Sequence, residues 1–216
     1  DEDTSFIYTL SATDVDGDEL TFSASVDGNA NVVVDGSDLT ITPNSNYNGD
    51  IAVDVLVSDG QYTDSDSFII TVNPVNNPPV LDSVSDQTIN EDELFTYTLS
   101  ASDVDDIDLT FSASVDANAS VVVDGNELTI TPDSDYNGSI AVDVSVTDGQ
   151  YTDSDSFVLT VNPVNDAPIL DSISDQDIDE DTPFIYTLSA TDVDGDELTF
   201  SASVDANASV VVDGND

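Results

Sequence analysis

Carboxylates are the side chains of this sequence whose number and spacing could do chemistry, and that chemistry is the binding of cations. Asp and Glu number 47 in 216 residues, while Lys, Arg and His are absent. The acids recur in register: Glu2, Glu91 and Glu180 stand 89 residues apart. Asp-x-Asp pairs follow at Asp14 and Asp16, Asp103 and Asp105, and Asp192 and Asp194. The segment before each Tyr-Asn-Gly carries Asn44 and Asn46 in one copy, and Asp133 and Asp135 in the next. An acidic Asp-Gly recurs at Asp59 and Asp148. Oxygen-only ligands gathered at loop positions select a hard cation, and flexible sets of several carboxylates favour Ca²⁺ over Mg²⁺. A chain without a basic side chain cannot pair its own acids, so the positive charge must come from outside.

Two calcium-loop motifs are excluded. Counting from Asp14, position six is Glu19 where an EF-hand needs Gly, and position twelve is Ser25 where it needs Glu. The Gly-Gly-x-Gly-x-Asp nonapeptide of β-helical repeats is absent. Enzymatic chemistry is poorly provided for. No His, Cys or Lys is present for acid–base or nucleophilic work. Acid pairs of glycosidase type sit on every repeat, with nothing to single one out. Absence of cysteine removes disulfides and thiolate metal sites. Nucleic acid is excluded as a partner, because nothing could neutralise phosphate. No apolar run approaches the roughly 20 residues of a membrane span. Asn118, Asn137 and Asn207 open glycosylation sequons, a short pattern that decides nothing.

The elements that must position these acids are short strands. The central copy contains seven apolar runs: 80–89, 95–101, 109–115, 119–123, 127–131, 140–147 and 156–161. Ile140, Val142, Val144 and Val146 alternate with Ala141, Asp143, Ser145 and Thr147, the period of a half-buried antiparallel strand. Asp124-Gly125, Asn137-Gly138 and Asp148-Gly149 are turn dipeptides, and no stretch has helical spacing. Seven strands in about 90 residues predict an all-β fold of tandem Greek-key, immunoglobulin-like β-sandwiches placed end to end. Tyr47 and Tyr136 are expected to pack at a strand corner and to bond through the hydroxyl. The expected domains are a partial repeat at 1–75 lacking its first strand, a complete repeat at 76–164, and a partial repeat of N-terminal strands at 165–216. The sequence opens inside one repeat and stops inside another, as expected of a window on a longer array.

"EDTPFIYTLSATDVDGDELTFS" from Glu180 resembles the cadherin segment in which a glutamate precedes a strand ending in Ala-x-Asp-x-Asp. "VTDGQYTDSDSFVLTVNPVNDAP" from Val146 resembles the cadherin stretch from Ala-x-Asp-Gly to the Asn-Asp-x-x-Pro linker. The resemblance covers the 89-residue unit and is nearest the cadherin-like tandem repeats of large bacterial surface adhesins. It implies calcium at the junctions, with ligands from both neighbours and the linker. One junction would take Glu91, Asp133 and Asp135 from the preceding repeat, Asn165 and Asp166 from the linker, and Asp192 and Asp194 from the following repeat. The other would take Glu2, Asn76, Asn77, Asp103, Asp105 and Asp148. Asp14, Asp16 and Asp59 would serve a junction upstream, and Glu180 is the third copy of the pre-strand glutamate. The chain departs from the family pattern in its shorter linker, with Pro74 and Pro163 near the first acidic position, and in having no Asp-Arg-Glu motif. Asn77 also replaces the Asp166 type at the first junction.

The resemblance implies a calcium-rigidified, extracellular stalk or fibre segment of a cell-surface adhesin, with neighbouring repeats and other copies in a fibre as partners. An adhesive module of the same class, homophilic or glycan-binding, is the alternative. At these acids the competing reading is a solvated surface. It stands level with ligation for Asp133 and Asp135, and it is the expectation for Asp64, Asp66, Asp153 and Asp155.

Overall fold

The computed structural model describes residues 1–214, all strand, turn and loop. The strands are β1 (Phe6–Thr9), β2 (Thr21–Val26), β3 (Ala30–Asp35), β4 (Asp38–Pro43), β5 (Gly49–Ser58), β6 (Thr63–Val72), β7 (Val80–Leu81), β8 (Gln87–Asn90), β9 (Phe95–Thr98), β10 (Ala101–Ser102), β11 (Thr110–Val115), β12 (Ala119–Asp124), β13 (Glu127–Pro132), β14 (Gly138–Thr147), β15 (Thr152–Asn162), β16 (Ile169–Leu170) and β17 (Ala190–Thr191). They form two compact units. The first holds residues 1–80 with loops 101–109 and 147–153; the second holds 81–100, 110–146 and 154–216.

In the first unit, sheets β1-β4-β3 and β2-β5-β6 are each antiparallel. Every second residue of β4 and β5 points inward, so Leu39, Ile41, Ile51 and Val53 are fully buried, with Leu10 and Val72 closing the core. In the second unit the order is β12-β13-β9 in one sheet and β11-β14-β15-β8 in the other. Its core is Leu99, Leu128, Ile130, Ile140, Val142, Val144, Val146, Phe157, Leu159 and Val161. Ile140, Val142, Val144 and Val146 are buried, as their alternation predicts. The chain crosses between sheets from β9 to β11 and from β13 to β14, the Greek-key connection of a sandwich.

The expected first strand, 80–89, is two segments, β7 and β8. β8 leaves the antiparallel pattern and pairs in parallel with β15, Leu159 opposite Gln87 and Asn162 opposite Asn90. The run 95–101 is likewise divided into β9 and β10. Both tyrosine corners form as expected. Tyr47 Oη donates to the Asp50 carbonyl at 2.8 Å, and Tyr136 Oη to the Ser139 carbonyl at 3.0 Å. The ring lies against a glycine in each case. A Cβ on Gly138, whose φ is 142°, would come within 2.8 Å of Tyr136 Oη, so a larger residue would strain the backbone and displace that hydroxyl. Among the described residues beyond 164, the strands are only β16 and β17.

Candidate metal centres

Each candidate centre is assembled around a glutamate in the turn before a strand, which bonds the linker at the end of its own repeat. Glu2 and Glu91 are 5% exposed, the two buried charged residues of the described chain. Their backbones are pinned first: Glu2 N–H donates to the Asn73 carbonyl and Glu91 N–H to the Asn162 carbonyl. Their carboxylates then accept from the linker. Glu2 Oε1 takes the Val75 N–H at 3.0 Å, and Glu91 Oε1 takes that of Val164. The Asx turns supply the other acids. Asp103 Oδ1 accepts the Asp105 and Asp106 amides, and Asp192 Oδ1 accepts those of Asp194 and Asp196. That arrangement turns the second acid of each Asp-x-Asp toward the linker.

In the first unit, Asp105 Oδ2 accepts the Asn77 N–H at 2.8 Å. The Asn77 amide donates to Asp105 Oδ2 at 3.1 Å and to Glu2 Oε1 at 3.4 Å. The Asn76 amide donates to Asp148 Oδ2 at 2.6 Å. Burial pushes the Asp148 carboxyl up, but amide bonds from Tyr151 and Gln150 and the Asn76 side chain outweigh it. The net effect holds Asp148 below the usual carboxylate value. Two buried oxygens here, Glu2 Oε2 and Asp103 Oδ2, have no hydrogen-bond donor.

In the second unit, Asp166 occupies the position of Asn77 and has no amide to donate. Its N–H donates to Asp194 Oδ2 at 2.6 Å, while its own buried Oδ2 has no donor. Oxygens of Glu91, Asp166 and Asp194 lie within 4.8 Å of one another, and so do those of Asp92, Asp135 and Asp166. Burial, then the charges of Asp135, Asp194, Asp92 and Glu91, push the Asp166 carboxyl above its usual value. Asn137 is the one side-chain donor to Glu91 among the described residues, at 3.3 Å.

Of the residues singled out in the sequence, Glu2, Asn76, Asn77, Asp103, Asp105 and Asp148 thus meet in the first unit. Glu91, Asp135, Asp166 and Asp194 meet in the second, with Asp192 orienting Asp194. Asn165 donates to the Asp166 carbonyl at 2.7 Å. Asp133 is spent on the local turn, its carbonyl accepting the Tyr136 amide, and no carboxylate group includes its side chain. Asp14 and Asp59 cap their own loops. Asp14 Oδ1 takes the amides of Asp16, Gly17 and Asp18, and Asp59 Oδ1 takes those of Gln61 and Tyr62. Those amides hold the Asp59 carboxyl below its usual value. Asn44 donates to the Gly28 carbonyl, and Asn46 N–H to Asp3. Glu180, unlike its two counterparts, is exposed.

Asp92 was missed. It stands beside Glu91 in a left-handed conformation, φ 63°, and accepts the amide of Asp135, itself at φ 56°. Asp3 and Asn46 repeat the pair at φ 58° and 57°. The Glu-Asp dipeptide at 2–3, 91–92 and 180–181 was the available signal. Asp155, expected to be solvated, is half-buried and its Oδ2 accepts the Val84 N–H at 2.8 Å.

Comparison with known proteins agrees with this architecture. The family model described as bacterial Ig domain matches residues 76–162, and that described as cadherin-like domain matches residues 1–73. Residues 1–73 and 76–162 are thus cadherin-like and immunoglobulin-type repeats. Such domains are typical of extracellular and surface proteins, they are structural rather than catalytic, and cadherin-like domains generally bind calcium. A curated relative, chitinase A of Pseudoalteromonas piscicida, is 29% identical over 139 residues, which is 61% of this chain and 16% of that protein. An endo-fucoidan hydrolase from glycoside hydrolase family 107 is 18% identical over 74% of this chain and 26% of its own, with a TM-score of 0.31. The EC1-2 region of human protocadherin-24 is 15% identical over 73% of this chain and 88% of its own, with a TM-score of 0.47. The chain therefore spans only a sixth to a quarter of the two hydrolases.

Proposed function

We propose that these repeats are a calcium-rigidified segment of an extracellular stalk or fibre, part of a cell-surface adhesin that supports attachment. The observation that carries this reading is the pair of three-carboxylate groups that share Asp166, in a chain with no cationic side chain. The donor set fits calcium: every candidate ligand is oxygen, and Glu2, Asp103 and Asp166 each keep a buried oxygen without a donor. Glu91, Asp92, Asp135, Asp166 and Asp194 would hold the ion at one joint; Glu2, Asn77, Asp103, Asp105 and Asp148 would hold it at the other. Bound calcium supplies the positive charge that these acids lack. The residues themselves set the geometry, since Glu91 and Glu2 tie each linker to the repeat before it and the Asx turns aim Asp194 and Asp105 at it. Occupancy at a hundredfold excess over Kd would stabilise the bound state by about 2.7 kcal/mol.

A cytosol poor in calcium would be an unsuitable home for such joints. The division into repeats at 75/76 and 164/165 is supported by the limits of the two family matches, 73 and 162. Small-angle scattering and a metal count on the whole chain, with and without chelator, test the reading. Bound calcium and an extended profile that loosens on chelation are expected. A metal count near zero would overturn it.

A further inference from the structure

The turn dipeptide Asn-Gly stands at both tyrosine corners, as Asn48-Gly49 and Asn137-Gly138. The corner itself demands the glycine. Gly49 and Gly138 hold φ at 131° and 142°, and a Cβ on either would meet the tyrosine hydroxyl at 3.0 or 2.8 Å. A glycine leaves its own nitrogen unshielded, so an imide ring can close between that nitrogen and the preceding asparagine side chain. Both asparagines are exposed, so water reaches them. They differ in what surrounds them. Asn137 Nδ2 donates to Glu91 Oε2 at 3.3 Å, and because a carboxylate only accepts, that contact fixes which way the amide faces. Glu91 is 5% exposed and belongs to the group with Asp166 and Asp194. In the first unit the side-chain amide beside Glu2 comes from Asn77 instead, at 3.4 Å.

We propose that Asn137 is a site of spontaneous deamidation, and that the change adds a carboxylate to the Glu91 centre. The reaction stands on the dipeptide and its exposure; its effect on the joint rests on the calcium reading above. The Gly138 nitrogen, giving its proton to solvent base, attacks Asn137 Cγ. A nitrogen–carbon bond forms, the Cγ–Nδ2 bond breaks, and the amide leaves as ammonia after taking a proton from water. Water then adds to the imide and reopens it. Opening at Cγ gives Asp, and opening at the main-chain carbonyl gives isoaspartate. No electrons are exchanged, and water is the co-reactant. The Asp product replaces a donor to Glu91 by a like charge at the same place. Without an ion that carboxylate is repelled by Glu91, and with one it is a further oxygen ligand. Ageing of the chain thus makes this joint both more dependent on calcium and tighter for it. The isoaspartate product lengthens the backbone just before β14 and loosens the Tyr136 corner instead.

Incubation of the whole chain in mildly alkaline buffer, followed by cleavage with an acid-directed protease and mass spectrometry, reads the modification directly. The peptide holding Asn137 should gain the mass of an amide-to-acid exchange, and Asn137→Gln, whose longer side chain closes a ring far more slowly, should not. Asn137→Asp supplies the pure acid form. With its circular dichroism in calcium unchanged, it should bind calcium about threefold to tenfold more tightly than the parent by calorimetry. An amide that persists at 137 in the folded chain while the denatured chain loses it would overturn the proposal. So would an Asn137→Asp affinity equal to or below the parent's. A parent that binds no calcium would overturn the proposed function and the effect on the joint together, with the mass change still deciding the modification.

Discussion

The joints at Asn77 and Asp166 are built on one plan and differ where amides replace carboxylates, Asn77 for Asp166 and Asn46 for Asp135. In both, a buried glutamate accepts a linker amide and an Asx turn aims an aspartate at the next backbone N–H. At the first, Asn77 adds an amide that donates to Glu2 and Asp105, so part of the missing positive charge is provided by the chain as a dipole. At the second, Asp166 adds a further negative charge to a place already holding four carboxylates. The first joint meets part of its negative charge with its own amides, whereas the second gathers five carboxylates about one place. On the proposed reading, amide-for-carboxylate exchanges at Asn77 and Asn46, against Asp166 and Asp135, would set how far each joint depends on calcium.

The substitutions that should matter most exchange Asp166 and Asn77. Asp166→Asn removes the carboxylate common to both groups, and calcium affinity at that joint is expected to fall at least tenfold. Asn77→Asp should raise affinity at the other joint while making it less ordered in chelator. Calorimetry on the whole chain reads both, and unchanged affinities in both variants would dissolve the comparison.

A second, smaller contrast concerns pH in the presence of chelator. The Asp166 pKa is raised on folding, so its contribution is favourable at low pH and is lost as pH rises through the raised value. That of Asp148 is lowered, so its contribution is present at neutral pH and lost as pH falls through the lowered value. Acidification should therefore increase amide protection at 164–166 and decrease it at 75–77, as read by hydrogen exchange corrected for intrinsic rates. Parallel changes at the two segments would contradict the assignment. The smallest effect is a matched control. Tyr47→Phe and Tyr136→Phe each remove one hydroxyl bond at equivalent corners and should cost about 1 kcal/mol of local stability, leaving calcium binding untouched. A large difference between the two corners would mean that the units are less alike than their sequences.

The strand pattern was legible because apolar residues alternate, and the core of the second unit follows it residue by residue. Pattern alone did not decide where strands form. "TFSASV" is β2 at 21–26 and β11 at 110–115, yet the same six residues at 199–204 form no strand. "FIYT" is β1 at 6–9 and is not a strand at 184–187. The difference is the ladder: β11 pairs with β14 and β1 with β4, and residues 165–214 contain no such partner. Strand propensity is realised only against a neighbour. The same dependence exposes Glu180, since the buried position of Glu91 is made by the Asn162 carbonyl and the Val164 amide, which lie 71 and 73 residues further along. Asp92 escaped notice for a different reason. Its role rests on a left-handed backbone that brings it to the Asp135 amide, and the sequence marks it only by the recurring Glu-Asp dipeptide.

The parallel pairing of β8 with β15 has a mechanical consequence. β8 lies near the beginning of its repeat and β15 at its end, so tension applied along the polypeptide draws the two strands in opposite directions along a common axis. The hydrogen bonds of the ladder that runs from Leu159 opposite Gln87 to Asn162 opposite Asn90 are then loaded together in shear rather than opened one at a time. Glu91 grips Val164 immediately beyond that patch, on the same line of force. A repeat closed by such a clamp resists a rapid pull, because rupture requires the whole patch to fail at once.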